Sequence, residues 1–248
     1  KNSAGLINKN KKINFSFNGH TYHGYEGDTL ASALISNGIH LIGRSFKYHR
    51  PRGFLGVGVE EPNAMVQLHE GNKSEPNIMA TEVELVEGLK AKSQNCWPSV
   101  QFDIGEVNNL LNRFFPAGFY YKTFMWPKSF WMKIYEPFIR KAAGMGVAPL
   151  QPDPDRYEHN YEHCDVLVVG SGPSGLASAL AAAKNGARVI LAEDKANFGG
   201  SLLTDEVTIG NMSGKEWAND TVAQLKSLPN VLLKKRSQVF GYYDHNMT

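Results

Sequence analysis

The sequence predicts an α/β protein in two folded parts, a small α+β unit first and a parallel α/β unit last, with an aromatic connector between them. Three observations carry this reading. Ile13, Phe15 and Phe17 alternate with polar residues up to Asn18-Gly19, which is strand periodicity followed by a hairpin turn. Eleven aromatic residues fall within the 25 residues from Phe114 to Phe138. Gly170-Ser-Gly-Pro-Ser-Gly175 stands between an unbroken apolar run and an alanine-rich stretch.

The first unit is expected over residues 10–95. After the hairpin turn, a return strand runs from His20 to Tyr25. Asp28 is the expected N-cap of a helix through Thr29, Leu30, Ala33 and Leu34, which Asn37-Gly38 closes. Val83 to Lys90 is expected to supply the last strands.

Residues 96–160 form the connector. Its aromatics are Phe114, Phe115, Phe119, Tyr120, Tyr121, Phe124, Trp126, Phe130, Trp131, Tyr135 and Phe138. Pro116, Pro127 and Pro137 cut it into short pieces. Either it packs on the flanking units, or it is an arm that docks on a partner subunit. Pro149, Pro152 and Pro154 then predict a stiff, extended linker.

The last unit, residues 161–248, begins with Asp165–Val169, which reads as a buried parallel strand. A helix over Leu176–Asn185 closes at Gly186, and Arg188–Ala192 is the next strand. Trp217, Thr221, Leu225 and Leu228 share one face of a later helix. Val231–Leu233 and Gln238–Tyr243 read as further strands. Strand, glycine turn, helix and strand together make a Rossmann-type dinucleotide-binding unit. It is expected to be incomplete, with more of the nucleotide domain following Thr248.

Composition narrows the function. The chain has 248 residues with 42% hydrophobic and 20% charged content, as a packed protein requires. Its 26 basic and 24 acidic residues leave a net charge of +2, so no overall field draws nucleic acid. No apolar run is long enough to span a membrane. Two isolated cysteines, Cys96 and Cys164, make no disulfide framework, and a reducing, cytoplasmic setting is expected.

The glycine motif supplies the chemistry. Gly170 makes the tight turn, Gly172 lets backbone approach a diphosphate, and Gly175 lets helix and strand pack closely. Pro173 is counted with the cofactor-binding turn, and the first free N–H groups of the helix, near Ser174 and Gly175, point at the phosphates. Glu193 ends the second strand, 18 residues after Gly175. A carboxylate there accepts bonds from ribose hydroxyls and repels a 2′-phosphate, favouring NAD or FAD over NADP. Asp194 reinforces that repulsion, and Lys195 weakens it. Gly199-Gly200-Ser201 offers a second backbone turn and a hydroxyl near the dinucleotide.

Other groups carry less. His159, His163 and Cys164 read as a turn before a strand, since a metal site lacks a fourth ligand. The basic run Arg44, Lys47, His49, Arg50 and Arg52 reads as a solvated loop, or as a clamp for an anionic ligand or acidic partner. Asp244 and His245 are adjacent without a substrate to act on, and no catalytic residue is assigned.

Four stretches together resemble the alpha subunit of heterotetrameric sarcosine oxidase: GRSFKYHRPRGFLGVGVEEPNAMV from Gly43, VVGSGPSG, EDKANFGGSL and VFGYYDHN. The likeness runs from about Ile13 onward. It implies a ferredoxin-like β-grasp fold for the first unit. In related amine and cyanide-forming dehydrogenase subunits, the equivalent loop has cysteines spaced C-x4-C-x2-C for a [2Fe–2S] cluster. Here those positions read Gly56, Glu61 and Ala64, so no iron–sulfur cluster is expected and the unit is read as a structural remnant.

The resemblance also implies non-covalent NAD at Ser174, Glu193, Asp194, Lys195, Ser201 and Val239. It implies beta, gamma and delta subunits as partners. FAD and FMN would be held in the assembled complex, and tetrahydrofolate in a later part of alpha. The family oxidises sarcosine to glycine, with formaldehyde or methylene-tetrahydrofolate and hydrogen peroxide. On this reading the chain is a truncated N-terminal piece that binds cofactor and partners and is inactive alone. The alternatives are a FAD-dependent amine or opine dehydrogenase subunit, or a non-catalytic scaffold with an empty nucleotide site.

Overall fold

A computed structural model of the chain describes residues 6–114, 118, 124–142, 144 and 146–248. It divides into two compact units, Ile7–Arg156 and Tyr157–Thr248.

The first unit is a β-grasp. Strand β1 (Asn8–Phe17) turns at Asn18 and Gly19, both with positive φ, into antiparallel β2 (His20–Glu26). Helix α1 (Leu30–Ser36) crosses the sheet next. The short pair β3 (Gly43–Arg44) and β4 (Pro51–Arg52) follows, then β5 (Met65–Leu68), β6 (Glu75–Met79) and β7 (Lys90–Ser93). The main sheet has the order β2-β1-β7-β5-β6, and its β1–β7 pair is parallel. Phe15, Phe17, Leu30, Leu34, Ile42 and Val66 fill the space between helix and sheet, each at most 2% exposed. Their spacing explains the elements: period two on β1 and a three-to-four spacing on α1 aim both at one core.

Three expectations for this unit need correction. The N-cap of α1 is Thr29, not Asp28. Ser32 lies three residues after Thr29, so the two bond reciprocally in a capping box, while Asp28 accepts from Ser32 Oγ (2.6 Å) and Tyr25 N (2.9 Å). The last strand is Lys90–Ser93, and Val83–Leu89 mostly leads into it through the turn at Gly88. Strands β5 and β6 lack a clear two-residue alternation and escaped the sequence reading.

The connector breaks into short turns, as its prolines require. Among the described residues its α-helical pieces are α2 (Val107–Leu110) and α3 (Glu136–Ala142), and a π turn covers Trp131–Tyr135. Trp126, Met132 and Phe138 are exposed. Phe115, Phe119, Tyr120 and Tyr121, together with Pro116, lie outside the described residues. Residues 146–156 form no regular element, in keeping with the proline-rich linker.

In the second unit, β8 (Val166–Val169), helix α4 (Pro173–Lys184), β9 (Val189–Glu193), helix α5 (Gly214–Ser227) and β12 (Val231–Lys235) form two successive parallel crossovers. A small hairpin, β10 (Thr208–Ile209) with β11 (Met212–Ser213), precedes α5. The sheet order is β12-β9-β8, all parallel. Val189, Leu191, Val166, Val168 and Leu233 on one sheet face pack with Leu176, Ala179, Ala183 and Leu225 of the two helices. Residues one step out of register, Val169 and Leu232, are exposed on the other face.

Strand β8 is therefore not the buried strand its apolar run predicts. It sits at the sheet edge, with Val166–Val168 half-buried and Val169 61% exposed. An apolar run signals cover on both faces, and the described residues cover one. Gln238–Tyr243 is also not a strand. Among the described residues no strand pairs with it, and Phe240 and Tyr242 are exposed.

Candidate dinucleotide-binding site

The site grows from the C-terminal ends of β8 and β9. Gly170 follows β8 with φ +86°, a conformation that glycine adopts without strain. Gly172 caps α4, and Pro173 takes its first position, where the missing N–H costs nothing. The first rung of the helix runs from Leu176 N to Gly172 O (2.9 Å). The N–H groups of Ser174 and Gly175 thus precede the ladder and are by position the donors a helix offers an anion. Ser174 is exposed.

The glycines differ in their requirements. A Cβ on Gly175 would sit 2.0 Å from Gly170 O, so helix and turn could not approach as they do. A Cβ on Gly172 would meet nothing within 4 Å. The space beside it is open, as a diphosphate contact needs. Gly200, with φ +53°, brings the second glycine turn over the first: its Cβ would lie 3.0 Å from Gly172 Cα.

Glu193 closes the arrangement. It is 4% exposed, and both of its oxygens are hydrogen-bonded. Its Oε2 accepts from Ser171 N (2.8 Å) and from the Ser171 hydroxyl, and Oε1 accepts from Lys195 N (3.0 Å). Ser171 Oγ in turn accepts from Gly199 N (3.0 Å). Asp194 is exposed, with Oδ2 3.2 Å from Lys195 Nζ. Ser201 lies exposed in the 3-10 turn Gly200–Leu203. Gly170, Gly172, Pro173, Ser174, Gly175, Glu193 and Gly200 are thus gathered at one corner, with Asp194, Lys195 and Ser201 at its margin. Val239 sits in the irregular stretch after β12, not on a strand.

A diphosphate fits this donor set. Open backbone and helix-end amides face the phosphates, the Glu193 carboxylate is an acceptor for the ribose, and among the described residues nothing lies within 4 Å of a Cβ built on Gly172.

Residues 165–227 match a family described as FAD dependent oxidoreductase. The chain is 55% identical, over 98% of its length, to sarcosine oxidase subunit alpha of Rhizobium meliloti. It is a homologue of the N-terminal part of sarcosine oxidase alpha subunits. The corresponding subunit of Corynebacterium sp. (strain U-96) is 30% identical, again over 98% of this chain. The homologous stretch is 25% of the first of these proteins and 21% of the second, so the chain spans about a quarter of the length of its curated relatives. The L-proline dehydrogenase of P. horikoshii shares the fold, with a TM-score of 0.54 and 18% identity, over 98% of this chain and 37% of that one.

One expectation is overturned. Residues 10–96 match a 2Fe-2S iron-sulfur cluster binding domain, which contradicts the reading that the chain carries no cluster. That reading rested on three positions, whereas the match spans the whole β-grasp. The donor set of the matched span is nonetheless poor in thiolates. Its single cysteine is Cys96, whose thiol burial and the neighbouring Asp103 push up. The residues present do not fit the thiolate set such a cluster takes, and no step of the proposed function passes through one.

At the positions the resemblance aligned with cluster cysteines, Glu61 does something sequence reasoning did not anticipate. The carboxylate is 2% exposed and collects four backbone amides: Leu55 N and Gly56 N (both 2.7 Å) on Oε2, Asn63 N (2.7 Å) and Ala64 N (3.3 Å) on Oε1. Burial pushes this carboxyl up, but the four amides outweigh it and hold the group below the usual carboxylate range.

The basic run is also more than a solvated loop. Arg44 is buried and bonds Val100 O, Gln101 O, His49 O and Glu106. His49 Nδ1 lies 2.6 Å from the buried Asp103 Oδ2. Lys47 and Arg50 stand over the Tyr48 ring. No helix among the described residues is long and apolar enough to cross a membrane.

Proposed function

We propose that residues 161–248 hold the diphosphate and adenosine ribose of an adenine dinucleotide, within an oxidoreductase of the sarcosine oxidase type that acts on a CH–NH donor. The observation that carries this is the corner where Gly172, Gly200 and the first amides of α4 surround open space beside Glu193. Ser174, Glu193, Asp194, Lys195 and Ser201 are the proposed contacts, with Val239 contributing from the segment after β12. Buried carboxylate and exposed Asp194 disfavour a 2′-phosphate by charge, so the ligand is NAD or FAD rather than NADP. FAD has the support of the matched family, and NAD that of the resemblance in sequence. A bound dinucleotide would supply hydride-accepting or structural chemistry, and this chain's residues bind and orient it.

In this reading the chain contributes cofactor binding and subunit contacts to a cytoplasmic heterotetramer, and turnover of sarcosine needs the remaining parts. The exposed large apolar side chains of the connector, Trp126, Met132 and Phe138, support an assembly role. The test is a thermal shift with NAD and FAD, followed by a visible spectrum of the purified chain. Either ligand at a hundred times its Kd should stabilise by about 2.7 kcal/mol. A band near about 450 nm marks flavin in its usual oxidised form. No shift with either ligand would refute the proposal and favour a scaffold with an empty site.

A further inference from the structure

Ser171 occupies the second position of the glycine turn, where the dinucleotide motif asks nothing of the side chain. It is nevertheless fully buried, at 0% exposure. Its hydroxyl donates to Glu193 Oε2 and accepts from Gly199 N at 3.0 Å, and its own N–H donates to the same Oε2 at 2.8 Å. One side chain therefore joins the glycine turn after β8, the acid at the end of β9 and the second glycine turn. An ionised carboxylate oxygen accepts about two hydrogen bonds in good geometry. Ser171 supplies two to Oε2, whereas Oε1 takes the backbone N–H of Lys195 (3.0 Å), beside the Asp194 carboxylate, and keeps one acceptor place.

We infer that Ser171 is a positioning residue for the adenosine ribose: it fixes Glu193 so that Oε1 meets the sugar hydroxyls, and it holds the Gly199–Gly200 turn against Gly172. The inference rests on the reading that this corner binds an adenine dinucleotide. It makes ribose recognition depend on a residue that itself touches no ligand. Without the hydroxyl, Glu193 loses one of its two anchors to the turn and the buried Gly199 N–H loses its acceptor. The carboxylate then has room to turn, and its preference for a hydroxylated sugar falls.

A purely structural staple would weaken all ligands alike, so the test reads discrimination as well as affinity. The full chain, wild type and S171A, is titrated with NAD and FAD and with the analogue of each that carries 2′-deoxyadenosine. Wild type should bind the ribose form about tenfold tighter than the deoxy form, since one hydrogen bond to a charged acceptor is of about that size. In S171A the ratio should fall to about two or below. Equal weakening of both forms, with the ratio kept near ten, would overturn the proposal and leave nucleotide binding standing. Failure of wild type to bind either dinucleotide would overturn the site reading itself. Should S171A not fold, S171G and the wild-type ratio carry the test. A wild-type ratio near one refutes the proposal.

Discussion

Replacing Glu61 by Gln should unfold the β-grasp unit far more readily than any surface substitution. The carboxylate takes four amides and is almost wholly buried. Glu61→Gln keeps one carbonyl oxygen and turns the other into an NH2 group facing two N–H donors. Two charge-assisted bonds are lost, each of about 1.5–3 kcal/mol, and two buried donors are left without acceptors. The expected loss is about 3–5 kcal/mol, a large part of the roughly 5–15 kcal/mol that holds a domain together. For a unit of this size that lowers Tm by about 10 °C. Hydrogen exchange of the β1 amides across a guanidinium titration reads this unit, because β1 carries its core residues Phe15 and Phe17.

The pH dependence adds a second reading of the same residue. The folded-state pKa of Glu61 lies below its ordinary value of 4.5. Its stabilisation is therefore fully present above that value and is lost as pH falls through the lowered one. The gap between wild type and E61Q should narrow in acid. A variant within about 1 kcal/mol of wild type at neutral pH, or a gap that ignores pH, would refute the assignment.

Other substitutions test other joints. Arg188 donates through side chain and backbone to Asp165 and holds it at about 2. An NMR titration of R188A should return that carboxyl toward its ordinary 3.8. In wild type the pair's contribution is present above 3.8 and lost as pH falls through about 2. Gly175→Ala would force a Cβ to 2.0 Å from Gly170 O. It should cost about 1–3 kcal/mol by overpacking and abolish the dinucleotide-induced thermal shift. Phe17→Ala, in the β-grasp core, should cost about 3–5 kcal/mol in denaturant unfolding.

Much of the fold was legible because its signals are local. The Asn18-Gly19 turn, the Asn37-Gly38 helix end and the strand–glycine–helix run need only neighbours in sequence to specify them. The readings that went astray depended on partners far along the chain. Val166–Val169 has the composition of a fully covered strand, but cover is set by what packs on each face. Gln238–Tyr243 alternates as a strand should and, among the described residues, has no strand beside it. Thr29 displaced Asp28 as the cap because of Ser32, a reciprocal pair that the first suitable residue hid. The partners of Glu61 and Arg44 were hidden for the same reason: a charge in a loop or a two-residue strand reads as solvated until the structure shows four amides or three carbonyls around it.

The candidate site shows how such hidden polar groups serve binding. The sequence reads Glu193 as a free acceptor for a ribose, yet its carboxylate is already held by Ser171 and Lys195. A buried carboxylate without partners would cost several kcal/mol before any ligand arrived. Bonding it to the turn removes that cost and fixes its orientation in the same act. The two glycine turns are likewise set against each other by Ser171 and by the close approach of Gly200 to Gly172. A dinucleotide therefore meets a corner whose geometry does not depend on it, and little of its binding energy is spent on ordering the protein.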